Sequence, residues 1–502
     1  MVFFLKPIRY LIHVQERRRY SFKILFFFAI FVGLGRALQE MLFFKVPLKN
    51  SEILTFIPFY LSLGYLLTLI LSLSGSLPWR KVNLAVVIGI FLGLFPPVLD
   101  LLLSERSSVF YGYYFLWNLN QLPWLGYKPE LNFPLGEAIT IWASIAFCGI
   151  YIAIKTGSLW RTLLSLILAY SVFIFAGSLL PMLVFRIKYG LLESMQSSGR
   201  IDSVMMRPVI YYLAVAQMMV MFVCYLTLNI SLLKHILKRL PHTFPFIAIC
   251  ALGGSYANAE LIDIVLICFA VMLAGLGTLV QNDWFDRHED SRISVVSAED
   301  VFAFNSIFFL IIVFLFMLNI RAVIPLLLAY ATSFLYNYPF YRARNSFPGN
   351  LKIEGIWGGS VFVSGLLLMK IQDITDGQLL AAFLVFGGWS LVAAIKDAKD
   401  VQTDSKNNVK TLYTIFMSRA VPFQKIHFFV RIAVVIAFLI PPIILLLSTP
   451  IWYAAIAFLL GPLSIFFITR KADTNAFLGL LSSSALFILY FVLLAQLDIF
   501  RI

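Results

Sequence analysis

The sequence predicts an all-α, polytopic membrane protein of about fifteen transmembrane helices, and three observations carry that prediction. Of its 502 residues, 61% are hydrophobic and only 13% charged, far from the composition of a soluble globular domain. Apolar runs of about 17 to 25 residues, the length that crosses a bilayer core as a helix, recur from end to end with short polar gaps. The net charge of +14 lies largely in those gaps, where Lys and Arg report orientation and membrane contact rather than a nucleic-acid partner.

In the first half, spans are expected near 24–44, 53–74, 83–103, 137–155, 161–186 and 209–232. The basic cluster Lys6, Arg9, Arg17, Arg18, Arg19 and Lys23 precedes the first apolar run with no small-residue cleavage site after it, so that run reads as a span and not a removed signal. The second half reads as about nine helices, near 243–257, 260–281, 299–318, 321–338, 353–370, 378–397, 425–447, 450–468 and 475–497. The first of these is short for a full crossing. Cys148, Cys224, Cys250 and Cys268 all fall inside apolar runs without metal-ligand spacing and read as packing residues.

The positive-inside rule tests this count. With a cytoplasmic N-terminus, Arg287, Arg292, Arg342, Arg344, Lys352, Lys396, Lys399, Lys406, Lys410, Arg419, Lys425, Arg470 and Lys471 all fall in inner loops, and the outer loops of the second half hold little beyond Arg321 and Lys370. The basic stretch Lys234 to Arg239, ending at Pro241, follows an even number of spans and is the expected boundary between two membrane modules, 1–238 and 239–502. No internal repeat relates the two, so an inverted-repeat transporter gains no support.

Two segments carry chemistry. Asn282-Asp283-Trp284-Phe285-Asp286-Arg287-His288-Glu289-Asp290 follows one span and Asp397-Ala398-Lys399-Asp400-Val401-Gln402-Thr403-Asp404 follows another, and both contain DxxDxxxD. On a helix continuing past the membrane surface, steps of three and four put the three carboxylates of each motif on one face. The helix count puts both motifs on one side of the bilayer, the cytoplasmic one. Clustered carboxylates without His or Cys ligands repel one another unless a hard, oxygen-preferring cation holds them, and magnesium accompanied by a diphosphate is the natural candidate. Solvated loops of mixed charge, with Arg287, Lys399 and Lys406 beside the acids, are the bland alternative.

This pair of motifs resembles the hallmark of the UbiA superfamily of intramembrane prenyltransferases, NDxxDxxxD in one cytoplasmic loop and DxxDxxxD in another. The resemblance covers about residues 239–502, extends to Arg239-Leu240-Pro241-His242-Thr243, Tyr338-Pro339-Phe340-Tyr341-Arg342 and Val409-Lys410-Thr411-Leu412, and includes the nine-helix count. It implies a Mg2+-dependent enzyme that binds an allylic polyprenyl diphosphate donor through bridging metal, releases diphosphate, and transfers the prenyl group to an acceptor held in the membrane. The acceptor class stays open between an aromatic ring, a lipid alcohol and a phosphosugar.

Within that frame Asn282, Asp283, Asp286, Asp290, Asp397, Asp400 and Asp404 are the expected metal ligands. Negative charge grows on the leaving diphosphate, so cations belong beside it; Arg292, Arg342, Arg344 and Lys406, with Lys352 and Arg239, are the candidates, against the alternative of orientation charges or headgroup anchors. Tyr336, Tyr338 and Trp357 are candidates to line the cavity, where aromatic faces stabilise a cation, against the alternative of an interfacial aromatic belt. Two departures from the family pattern stand out: the run after Asp290 has one Arg and no Pro, and Asn408 stands where relatives often carry Gly.

The first half shows no comparable site. Arg36 and Glu40, four apart within an apolar run, are expected to pair on one helix face directed at other helices. The rival readings of the whole chain are a transporter, for which ionisable residues near the midplane of several helices are wanted, and a first half that acts as a lipid-binding scaffold.

Overall fold

The computed structural model describes residues 22–44, 55–103, 135–189, 203–257, 259–285, 295–338, 346–369, 374–398, 401–406 and 409–433, and every regular element among them is a helix. The protein is an all-α polytopic membrane protein: eight helices among the described residues are long and apolar enough to cross a bilayer. Backbone proximity divides the chain into two compact units, Met1–Leu233 and Lys234–Ile502.

Helix α1 (Phe22–Phe44) shows how composition becomes topology. Phe27, Phe31, Leu34, Leu38 and Leu42 form an exposed apolar stripe of the kind a lipid-facing surface needs. Leu25, Ala29, Val32, Arg36 and Glu40 are buried on the opposite face, so the two charges point into the unit. Helix α2 (Phe56–Gly75) is the centre of this unit and packs against α1, α3 (Trp79–Phe91), α6 (Leu159–Ile174) and α8 (Ser203–Leu228). A 3-10 turn at Leu92–Leu94 links α3 to α4 (Pro96–Leu102), which begins with prolines where a missing N–H costs nothing. Helix α5 (Leu135–Thr156) follows, and a π turn at Phe175–Leu179 joins α6 to α7 (Leu180–Tyr189).

The Arg36–Glu40 pair forms, and it is part of a larger clamp. Arg36 Nε donates to Glu40 Oε1 at 3.0 Å, Nη1 to the Gly93 carbonyl at 3.2 Å and Nη2 to Glu137 Oε2 on α5 at 3.2 Å. Nearby, the buried Asp100 carboxylate on α4 accepts the Gly136 N–H at 2.7 Å, an acid at the amino end of α5 where the helix dipole favours it. The last expected span of this half, 209–232, divides: α8 stops at Leu228 and α9 (Ile230–Arg239) begins beyond Asn229, whose side-chain Nδ2 is turned back onto the Tyr225 carbonyl.

The second unit holds α10 (Phe244–Tyr256), α11 (Leu261–Phe285), α12 (Ala298–Asn337), α13 (Gly349–Leu366), α14 (Asp376–Asp397), the short α15 (Val401–Lys406) and α16 (Leu412–Ser418), with residues 423–433 again helical. The expected spans 450–468 and 475–497, and the part of 425–447 beyond residue 433, lie outside the described residues. Pro241 sits in a 3-10 turn, Leu240–Thr243, between α9 and α10. The expected pair 299–318 and 321–338 forms two helical segments that meet at a kink at one non-helical residue, Asn319 (φ −151°, ψ 89°), without a longer connecting loop. Asn319 Oδ1 accepts the Ala322 N–H at 3.2 Å, capping the second segment, and its Nδ2 donates to the Leu367 carbonyl at 3.3 Å, so one side chain does the work of a loop.

Helix α13 is the hub, packed against α10, α12 and α14. Its approach to α10 is backbone to backbone: a Cβ on Gly365 would collide with the Cys250 carbonyl, and one on Gly253 with the Phe362 carbonyl. Small residues admit such close crossings between membrane helices, where packing rather than a hydrophobic drive holds helices together.

Candidate active site

Each aspartate motif opens at the carboxyl end of a helix. Asn282 and Asp283 occupy the last turn of α11, and Asp397 is the last residue of α14. Asp404 lies on α15, the short helix Val401–Lys406, and Ala398 after Asp397 is a turn. Asp286, Asp290, Arg292, Arg342, Arg344 and Asp400 lie outside the described residues.

Asp283 is held from α9. Arg239 makes a forked contact, Nε to Oδ2 at 3.1 Å and Nη2 to Oδ1 at 2.5 Å, and His235 Nε2 lies 2.8 Å from Oδ2. The structure therefore brings Arg239, expected beside the diphosphate, onto the first aspartate. Asp397 is held from α13 by Asn350, whose Nδ2 donates to Oδ2 at 2.8 Å and which is itself buried. Neither His235 nor Asn350 was anticipated. His235 had one available signal, its position four before Arg239 on a strongly amphipathic helix, whereas Asn350 reads in sequence as an ordinary polar residue at a helix start.

One turn deeper than Asp283, a polar belt ties α11 to α12 and α13. Gln281 Nε2 donates to Asn305 Oδ1 at 2.9 Å and to the Tyr330 hydroxyl at 3.0 Å, while the Tyr330 hydroxyl itself donates to Asn305 Oδ1. Thr278 Oγ1 donates to Ser333 Oγ at 2.9 Å, and Asn337 Nδ2 to the Thr278 carbonyl at 3.1 Å. Trp357 joins the same belt, its Nε1 donating to Ser333 Oγ at 2.8 Å and its ring lying 5.1 Å from that of Phe246, which in turn is 4.7 Å from Trp389. Such networks fix helix register inside an apolar interior, and here Gln281 Oε1 and Asn337 Oδ1 are buried without a hydrogen-bond partner. Tyr338 is 41% exposed and meets Phe285 edge-on at 6.0 Å, beside the first motif, and Tyr336 is half-buried. Lys352 and Lys406 are exposed on α13 and α15. After the second motif, Thr411 caps α16 by accepting the Thr414 N–H, giving the Val409-Lys410-Thr411-Leu412 stretch a structural role.

Residues 243–478 match the UbiA prenyltransferase family. The C-terminal region belongs to the UbiA superfamily. Three solved structures illustrate the likeness, all of a UbiA homolog from Archaeoglobus fulgidus. The Cd2+-bound form is 18% identical with a TM-score of 0.38, covering 51% of this chain and 98% of that one. The form bound to DMAPP and Mg2+ is 15% identical with a TM-score of 0.38, covering 52% and 99%. The form bound to GPP and Mg2+ is 16% identical with a TM-score of 0.39, again covering 52% and 99%. No curated protein matches the chain. His235 and Arg239 precede the matched UbiA span, and Asn350 lies within it.

The donor chemistry at the two helix ends fits a hard divalent cation: Asn282, Asp283, Asp397 and Asp404 offer oxygen ligands only. Among the described residues no three His, Cys, Asp or Glu side chains stand close enough to hold a metal by themselves.

Proposed function

We propose that residues 239–502 form an intramembrane, magnesium-dependent prenyltransferase that moves a prenyl group from an allylic polyprenyl diphosphate to a membrane-accessible acceptor and releases diphosphate. The observation that carries this reading is the arrangement of the two motifs: the leading aspartate of each stands at a helix end, and each is held by a hydrogen-bond donor from another helix. Membership of the UbiA superfamily supports it.

Magnesium, when bound, supplies positive charge where the leaving diphosphate becomes more negative. Asn282, Asp283, Asp286 and Asp290 from the first motif and Asp397, Asp400 and Asp404 from the second are the residues proposed to hold it. Arg239 and His235 orient Asp283, and Asn350 orients Asp397, so these carboxylates meet the incoming cation in fixed directions. Arg292, Arg342, Arg344, Lys352 and Lys406 are proposed to receive the diphosphate oxygens, with arginines giving planar forked contacts. Breaking the allylic C–O bond sends its electron pair to the diphosphate; the carbon then bonds to the acceptor's nucleophilic atom, which gives up a proton. Tyr336, Tyr338 and Trp357 are proposed to line the cavity in which this occurs, where aromatic faces stabilise positive charge. We place the N-terminus and both motifs on the cytoplasmic side, on the strength of the basic loops.

The test is release of inorganic diphosphate by the purified full-length protein offered farnesyl, geranylgeranyl and longer polyprenyl diphosphates with a lipid extract from its native membrane. Release that needs Mg2+, stops with chelator and is lost in Asp283→Ala is the expected outcome and ranks the donors. Folded protein that releases nothing from any donor with this extract, or that releases diphosphate equally well as Asp283→Ala, overturns the assignment.

A further inference from the structure

We propose that His235 is a positioning residue for the leading aspartate of the first motif, fixing which oxygen of Asp283 a divalent cation meets; this rests on the reading of Asp283 as a metal ligand given above. Four observations carry it. His235 is close: Nε2 lies 2.8 Å from Asp283 Oδ2, 48 residues away in sequence. Its helix presents it on purpose: Leu232 and Ile236 of α9 are buried and Lys234, Leu237 and Lys238 exposed, while His235 and Arg239, one turn apart, both reach Asp283. Asp283 is only 11% exposed at its side chain, so the contact is not a passing surface encounter. Finally, His235 lies outside the matched family span 243–478.

The chemistry follows from counting acceptor positions. An ionised carboxylate has about four lone-pair sites and no proton to give, so the ring nitrogen facing it is the donor, whether the imidazole is neutral with its proton on Nε2 or charged. On Oδ2, His235 Nε2 and Arg239 Nε take both sites; on Oδ1, Arg239 Nη2 takes one. One site on Oδ1 is left. Asp283 therefore presents a single oxygen, in one direction, and binds a cation through that oxygen alone. Without His235 the carboxylate keeps its forked partner but regains an open site on Oδ2, and its preference for one oxygen is lost. Hydrogen-bond partners of metal ligands are commonly worth about 10- to 100-fold in metal affinity.

The experiment titrates Mn2+ into the full-length protein in nanodiscs with farnesyl thiolodiphosphate, a donor analogue that ionises poorly, and follows free Mn2+ by electron paramagnetic resonance. His235→Ala and His235→Phe, the second filling the space without a donor, are both expected to raise the Mn2+ dissociation constant about tenfold or more. His235→Gln, which keeps an N–H donor, recovers most of the loss. Melting temperatures check that all three variants are folded. If Asp283→Ala loses Mn2+ binding while His235→Ala and His235→Phe bind like the parent, His235 has no positioning role. Equal loss in Ala, Phe and Gln variants overturns the hydrogen-bond argument as well. Parent-like binding in Asp283→Ala removes the metal-ligand reading itself, and the role of His235 with it.

Discussion

Asn350 donates its side-chain N–H to Asp397 at 2.8 Å from a position that is almost wholly buried, so the aspartate that closes α14 is aimed by the helix at the centre of its unit. Asn350 Oδ1 meanwhile faces the Leu351 N–H at 2.9 Å, which fixes the amide's orientation as donor toward the acid. Asn350→Leu, near in volume but without a donor, is expected to raise the Mg2+ concentration giving half-maximal diphosphate release about 10- to 100-fold. Asn350→Asp is expected to be worse, because it sets a second negative charge against Asp397. A Mg2+ titration of both variants beside the parent checks this; an unchanged half-saturation point removes Asn350 from the site.

Asp283→Ala separates chemistry from folding. The Arg239 side chain is 36% exposed, so the ion pair it makes with Asp283 contributes little to stability, about 1 kcal/mol or less after solvent screening. Turnover is expected to vanish while the thermal unfolding midpoint moves by no more than a few degrees. A large fall in melting temperature together with lost activity would mean that Asp283 is chiefly structural.

The spans that fall among the described residues were legible because each rests on a local signal, an apolar run of bilayer length, and the two motifs stand out by their carboxylate spacing. What could not be read depended on contacts between distant segments. His235 and Asp283 are 48 residues apart, and Asn350 and Asp397 are 47 apart; no periodicity links them. The polar dip in hydropathy between 318 and 321 marks a kink where two helical segments meet, and the contact of the Asn319 side chain with the Leu367 carbonyl there is not legible in the sequence. The spacing of the second motif is compatible with a helix but does not require one, and Ala398 after Asp397 is a turn.

The crossing of α10 and α13 sets a limit on side-chain size. Gly365→Leu puts a side chain where the Cys250 carbonyl already stands, and the backbones must separate to admit it. A loss of about 1–3 kcal/mol, or failure to accumulate in the membrane, is expected. Gly387→Ala is the control, because a Cβ there meets nothing within 4 Å. Unfolding in detergent, followed by fluorescence of a thiol probe reaching the buried Cys250, measures both; equal stability of the two variants would show that the helices do not pack as closely as described.

In the first unit the corresponding test is charge balance around Arg36. Its guanidinium is 1% exposed and serves Glu40 and Glu137 at once, with the Gly93 carbonyl as a third acceptor. Arg36→Ala leaves two carboxylates facing each other inside the membrane region without their cation, and the cost of such an uncompensated buried charge is about 3–5 kcal/mol. Arg36→Lys keeps the charge and loses the fork, which offered separate N–H groups to three partners, so an intermediate loss is expected. The decisive variant is the triple Arg36→Met, Glu40→Gln, Glu137→Gln, which removes cation and anions together. If the cluster only holds helices, the triple variant regains most of the stability lost in Arg36→Ala, because replacing a whole buried ionic group with neutral side chains of similar size is often neutral. If instead it remains as unstable as Arg36→Ala, the three groups hold α1, α5 and the Leu92–Leu94 turn in register through the directions of their hydrogen bonds, and charge alone does not explain their burial.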